Sequence, residues 1–410
     1  MPQFLARQRA VFRSSPSFTL LFGSYLVSGI GTFLAVVALS VDVWDRTHSG
    51  VWVSALLIAD FLPAVAIGLL LGPLVDRLSR KRLLVGADIV RLIVFVLLAF
   101  TVSAGQIVAL ALVAGIATGF SRPAAYAGLP NLVSSSDLAQ ANGLLRLAEQ
   151  LTITFGALIG GIVVAAAGPD PAYIVNAVSF GVSGLLLLRI PGALLQRGRA
   201  ESRGYWQDLG EGFQLVLHSR PLLTVLLSWN LAMLTVAFVN VSEVVLAKVS
   251  FNAGDFGFGF LWSANGLGAV VGALFASTWL ERRGMTVLYG LAIGLMGVAD
   301  IGAAVSPNVW VAFWCVVLSG IGNATALVCN TLLVQRGSPD EMRGRAFTLI
   351  MGTNFAVLGI GMVIAGPLVD AVGARWVWGI AGAIGLVAAA TGYTMLRREP
   401  AAAVPEPATT

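Results

Sequence analysis

Apolar residues dominate the chain in long runs, and polar residues come in short clusters between them. A helix needs about 20 apolar residues to cross a bilayer core of about 30 Å. Runs of that length fall at about 17–43, 52–75, 83–103, 106–129, 139–164 and 171–190, and again at 222–247, 255–279, 285–304, 308–333, 346–369 and 375–396. The pattern predicts an all-α membrane protein with twelve transmembrane helices. The first run is too long for a signal-peptide core and has no small-residue cleavage site behind it, so it reads as a retained helix. Residues 4–13 place apolar side chains at helical spacing among Arg7, Arg9 and Arg13, which predicts a segment lying on the membrane surface.

Composition agrees with this pattern. Hydrophobic residues are 57% of the 410 and charged residues 11%, against about 25% charged in a soluble domain. Lipid must therefore solvate the outer face. The net charge of +5 marks sidedness rather than nucleic-acid binding. With both termini placed in the cytoplasm, the external segments hold only Arg46, Lys248 and Arg375, while most other basic residues fall in cytoplasmic segments. Cys315 and Cys329 share one run and, at about 1.5 Å per helical residue, lie about 21 Å apart. They read as core residues, with no metal site.

The polar stretch 191–220 separates two sets of six runs. Tyr205, Trp206, Leu209, Phe213, Val216 and Leu217 recur at three- and four-residue spacing in it and predict an amphipathic interfacial helix. The expected domains are 1–190, a linker 191–220, 221–398, and a disordered Ala/Pro/Thr-rich tail 399–410. Adding 205 to a residue number carries Asp76-Arg77 onto Glu281-Arg282, Gly115 onto Gly320, and Gly156, Gly161 and Gly168 onto Gly361, Gly366 and Gly373. Two pseudo-symmetric six-helix bundles running in the same direction follow, with a site between them near the midplane as in transporters built from parallel repeats.

The loop after the second run reads Gly72-Pro-Leu-Val-Asp76-Arg77-Leu-Ser-Arg80-Lys81-Arg82. It resembles the signature loop of the major facilitator superfamily, Gly-x-x-x-Asp-Arg-x-Gly-Arg-Lys/Arg, matching at Gly72, Asp76, Arg77, Arg80 and Lys81, with Ser79 in place of a glycine. The resemblance implies a conformational latch in which Asp76 meets the positive end of predicted helix 11. Gly156-Ala157-Leu-Ile-Gly160-Gly161 resembles the glycine-rich antiporter motif, with Ala157 where that motif has proline, and it also suits close helix packing. Pro123-Ala124, Pro130, Ala141-Asn142, Asn176 to Phe180 and Arg343 to Ala346 are similar to the branch of macrolide-type drug and siderophore exporters. The resemblance extends over 17–396. It implies the major facilitator fold, and a monomer.

Ionisable residues inside a bilayer are costly and stand as functional candidates by default. Glu149 lies ten residues into its run, about 15 Å deep, with Arg146 one turn earlier as a possible salt-bridge partner. Asp60 has no basic residue within a turn. Glu243 has Lys248 nearby and reads as an outer gate. These three are the candidate proton-coupling residues. Asp42 lies close enough to the surface to be hydrated. Asp88 and Arg91, at i and i+3, can satisfy each other, and predicted helices 3 and 9 are peripheral in the superfamily, so Asp88, Arg91 and Asp300 read as structural. Asn230, Asn265, Asn323 and Asn354, with Trp262 one turn from Asn265, sit on predicted helices 7, 8, 10 and 11, which face the cavity in the superfamily, and are the candidate substrate contacts.

No nucleotide-binding loop occurs and neither histidine falls in a run. No cofactor is expected, and the proton gradient is the expected energy source. The combined reading is a proton-coupled exporter of small amphiphilic molecules such as drugs, in a prokaryotic inner membrane with both termini cytoplasmic. Its partners would be the bilayer, protons and a small-molecule substrate. An importer or facilitator of the same fold, a lipid or lysolipid flippase, and a non-transporting receptor or scaffold are the alternatives.

Overall fold

The computed structural model describes residues 11–70, 78–195, 213–339 and 342–397; of the side chains at 68–70 and 277 nothing is said. The long helices are α1 (Pro16–Thr47), α2 (Gly50–Leu70), α3 (Arg80–Leu98), α4 (Ala104–Leu132), α5 (Leu138–Ala167), α6 (Pro169–Leu188), α7 (Arg220–Ser250), α8 (Gly254–Arg283), α9 (Met285–Val305), α10 (Val309–Gly337), α11 (Arg343–Val372) and α12 (Ala374–Arg397). Eleven of them are long and apolar enough to cross a membrane. The remaining one is α3, whose 19 residues include Arg80, Lys81, Arg82, Asp88 and Arg91. A large apolar surface stays exposed, as at Ile89, Ile93, Val178, Leu185, Leu291 and Val298, which is the surface lipid would cover.

Local chemistry sets the helix ends. Ser15 accepts from the Phe18 N–H at 3.1 Å and donates to the Leu132 carbonyl at 2.5 Å, capping α1 and tying it to the end of α4. Ser103 and Gln106 form a capping box at the start of α4. The α5–α6, α8–α9 and α11–α12 junctions each turn on one glycine at positive φ: Gly168 at 79°, Gly284 at 76° and Gly373 at 82°. A side chain there would be strained. Within α7, residues Val225–Trp229 and Leu246–Ser250 wind as π-helix.

The packing network of the first six helices reappears in the last six. Helix α1 packs on α5 and α6, α2 on α4, and α3 on α4 and α6; likewise α7 packs on α11 and α12, α8 on α10, and α9 on α10 and α12. The two sets meet chiefly where α5 lies against α8 and α2 against α11. Both of these contacts rest on glycine. A Cβ on Gly161 would come within 3.0 Å of the Gly259 Cα and 3.3 Å of the Asp255 carbonyl oxygen. A Cβ on Gly366 would come within 2.9 Å of the Ser54 Cβ, the Val51 Cα and the Gly50 carbonyl oxygen. The two sets of partners differ in number by 205.

These contacts close one end of the molecule, the end carrying the turns at 48–49, 168, 251–253 and 373. There the Asp370 carboxylate accepts from the Gly50 N–H at 2.5 Å, the Ser49 hydroxyl at 2.8 Å and the Val51 N–H at 3.3 Å, joining α11 to the N-terminus of α2. Ser54 also donates to the Met362 carbonyl. Lys248 adds ion pairs to Asp45 and to Asp255, each at 2.5 Å.

Candidate functional site

Two polar pockets lie among the helices, and Phe33 of α1 lines both. The first, of about 180 Å³, lies within the first six helices. Tyr25, Arg122, Glu149, Asp88 and Arg91 line it, together with serines and threonines of α1, α4 and α5. Arg122 of α4 makes an ion pair with Glu149 of α5. The partner of Glu149 is thus a residue of the neighbouring helix, not Arg146 on its own helix. Deeper in the same group of helices, Arg91 pairs with Asp88 at 2.6 Å, Ser183 donates to Asp88 at 2.6 Å, and the guanidinium lies 4.4 Å from the Phe180 ring centroid. The mutual satisfaction of Asp88 and Arg91 read from their spacing is the arrangement observed. Asp60 of α2 is half-buried.

The second pocket, of about 370 Å³, is lined mainly by the last six helices, with Phe33 and Ile153 reaching in from the first set. Trp262, Asn265, Asn323 and Asn354 all line it. Asn230 is not among its lining residues: its amide nitrogen donates to the Leu226 carbonyl at 2.6 Å and to Thr353 at 3.3 Å. Glu243 lines the pocket and is buried. Its expected neighbour Lys248 turns instead to Asp45 and Asp255 at the closed end, and Asp300 shares the pocket with Glu243.

Asp300 corrects a further expectation. It lines this pocket together with Ser319. Glycines on facing helices explain how α9 reaches inward: a Cβ on Gly297 would come within 2.7 Å of the Gly382 carbonyl oxygen, so α9 sits close against α12. Asp42 departs from its reading as well. It is buried, and it is held by Arg46 at 2.6 Å and by the Tyr173 hydroxyl at 2.9 Å.

The 205-residue offset relates polar positions of the two sets of helices. Tyr25, Asp60, Thr118, Arg122 and Glu149 correspond to Asn230, Asn265, Asn323, Leu327 and Asn354. Charged or hydroxylated groups in the first set of helices thus stand where amides and a leucine stand in the second. Asp88, Arg91 and Ser183 correspond to Ile293, Met296 and Ala388, all buried in an apolar cluster.

Of the signature loop, Gly72, Asp76 and Arg77 lie outside the described residues, as do residues 196–212 of the expected interfacial helix. Residues 213–218 are helical. Arg80 donates to the carbonyls of Ala127 at 2.9 Å and Leu195 at 2.8 Å, and Lys81 to that of Leu188 at 2.8 Å. Arg80 thereby fastens the start of α3 to α4 and to Leu195, and Lys81 fastens it to the end of α6.

Residues 9–407 match the family model described as transmembrane secretion effector. The chain belongs to this family. It is a multi-pass membrane protein of the major facilitator superfamily, similar in sequence to its macrolide- and drug-exporting branch. Identity to the multidrug efflux pump Tap of Mycobacterium tuberculosis (strain ATCC 25618 / H37Rv) is 24% over 372 residues, covering 87% of this chain and 88% of that one. Identity to macrolide efflux protein A of Streptococcus pyogenes is 20% over 365 residues, covering 87% and 90%. The fold is that of solved transporters. A variant of the nucleoside transporter NupG superposes with a TM-score of 0.77 at 15% identity, over 92% of this chain and 99% of that one. A bacterial homologue of the iron transporter ferroportin, in an inward-facing state, superposes with a TM-score of 0.72 at 16% identity, over 93% and 99%.

Proposed function

We propose that this member of the family is a proton-coupled exporter of small amphiphilic molecules, working by alternating access between two six-helix halves, 1–190 and 221–398. The observation that carries the proposal is the pair of polar pockets flanking Phe33, one built around the Arg122–Glu149 ion pair and the other lined by amides, tryptophans and carboxyls. An apolar protein interior does not keep such groups for packing alone. In this reading twelve helices span a bacterial inner membrane with both termini in the cytoplasm. The closed end is then the outer end, and the arrangement is the inward-open one.

Arg122 and Glu149 neutralise each other across α4 and α5. A proton arriving from outside on Glu149 frees Arg122 and removes the attraction that holds the two helices, and the proton's departure inward restores it. Asp60 and Glu243 are further carriers. Trp262, Asn265, Asn323 and Asn354 give an amphiphile rings to lie against and amides to bond, with Asn230 acting from behind through Thr353. The loop Gly72 to Lys81 latches the inward side, Asp76 meeting the start of α11. No cofactor takes part, and the chain works as a monomer.

The test is transport in vesicles carrying the purified protein, with an imposed pH gradient, a lipophilic dye and an internal pH probe. Dye movement that follows the gradient and is lost in Glu149→Gln is the expected result. Dye movement indifferent to the gradient overturns proton coupling.

A further inference from the structure

Glu243 and Asp300 hold an unusual place. The corresponding first-half positions are Ala38 and Phe95, both buried in the main hydrophobic cluster. The α7–α9 region therefore has an apolar packing solution, present in the same molecule, and the second half carries two carboxyls instead. Glu243 is 4% exposed and Asp300 2% exposed. Among the described residues no Lys, Arg or His lines their pocket. Glu243 Oε1 is buried without a hydrogen-bond partner, and so is Oδ1 of Asn354 on the same pocket. Both are acceptors with no donor supplied to them, the Nε1 donor of Trp378 on the same pocket being unpartnered as well, and a buried acceptor is left unmade only at a cost.

A ligand that supplies positive charge and N–H donors would satisfy the two carboxyls and the Asn354 oxygen together. The rings beside them fit the same ligand, since Trp262 and Trp229 line the pocket and aromatic faces attract organic cations. A divalent metal fits poorly, because no group of three or more His, Cys, Asp or Glu is found among the described residues and hard cations take six or more oxygens. We infer that Glu243 and Asp300 form the recognition site for an organic monocation bearing N–H groups, whose aromatic or aliphatic body lies against Trp229 and Trp262. The inference names the substrate class for the transport reading above and rests on that reading for translocation, while binding is tested alone.

The probe is ethidium, a planar cation with two amino groups, with Nile red as a neutral dye. Equilibrium titration of the detergent-purified full chain is expected to show ethidium affinity reduced at least tenfold in the double variant Glu243→Gln, Asp300→Asn, with Nile red affinity held within twofold. Unchanged ethidium affinity, or equal loss of both dyes, overturns the inference. A second measurement uses the unaltered protein: dicyclohexylcarbodiimide modification of Glu243 and Asp300, read by peptide mass spectrometry, is expected to fall at least fivefold in the presence of saturating ethidium. Absence of protection overturns the site and leaves these carboxyls as proton carriers only. Intact ethidium binding without gradient-driven transport fells the transport reading and leaves the site standing. Gradient-driven transport with ethidium binding indifferent to both residues does the reverse.

Discussion

Replacing Asp370 by alanine removes three hydrogen bonds between α11 and the first turn of α2 and leaves the backbone N–H groups of Gly50 and Val51 without their acceptor. Losing a side-chain acceptor at a helix N-terminus costs about 0.5–2 kcal/mol, and a carboxylate facing the helix dipole adds about 0.3–1 kcal/mol. Asp370 is exposed, and only its bond to Gly50 is half-buried. Solvent screening therefore holds the total to about 1–2 kcal/mol, a 5- to 30-fold shift at about 1.4 kcal/mol per factor of ten. Hydrogen–deuterium exchange of a peptide covering residues 48–56 reads this directly. In Asp370→Ala the amides of Gly50 and Val51 are expected to exchange about 5- to 30-fold faster, and Asp370→Asn, which keeps one acceptor, falls between. Exchange within twofold of the parent in Asp370→Ala would show that Asp370 does not hold this end closed.

Gly161→Ala and Gly366→Ala each drive a Cβ against backbone or Cβ atoms at about the same distance, so each is expected to lower stability by about 1–3 kcal/mol and by similar amounts, read as thermal unfolding in detergent; a loss confined to one of the two would sink the shared-register argument. Arg91→Met strands the buried Asp88 carboxylate and is expected to cost about 3–5 kcal/mol. The double variant Asp88→Ile, Arg91→Met copies Ile293 and Met296 and should recover most of that loss in size-exclusion profiles after heating. Glu149→Gln is expected to abolish pH-driven dye movement while leaving the protein folded; retained coupling would remove Glu149 from the proton path.

The helices were legible because the bilayer imposes a length and a polarity that no local propensity overrides. Even α3 could be read despite its five charged residues, since Asp88 and Arg91 sit one turn apart on a single helix and their pairing follows from spacing alone. The pairings that escaped are those between helices. Nothing in the periodicity of α5 announces that Glu149 meets Arg122 of α4, or that Asp42 of α1 meets Tyr173 of α6. Asp300 escaped because a helix judged peripheral was assumed to keep its polar groups out of the interior, whereas Gly297 and Gly382 let α9 sit close against α12. Asp370 and Gly50 lie 320 residues apart, and no run of either helix encodes their meeting. The amides of Asn265, Asn323 and Asn354 were found at the pocket because depth and helix assignment could be counted; Asn230 was misplaced by the same count, its side chain turning along its own helix to Leu226.

The glycine contacts at the closed end bear on ancestry. Subtract 205 from every number in the second half. The α5–α8 contact becomes 161 against 54 of the other half, and the α11–α2 contact becomes 54 against 161. That reciprocity is the mark of an isologous interface, the kind a two-fold homodimer of half-length chains must have. Such a surface would have been self-complementary before fusion, and joining the halves released each copy to change by itself. Ser54 opposite Gly259, and Asp370 opposite Ala165, record that release. The carboxylate that binds α2 has no counterpart on the other side of the axis, so a symmetric joint has become one whose two sides are fastened by different chemistry.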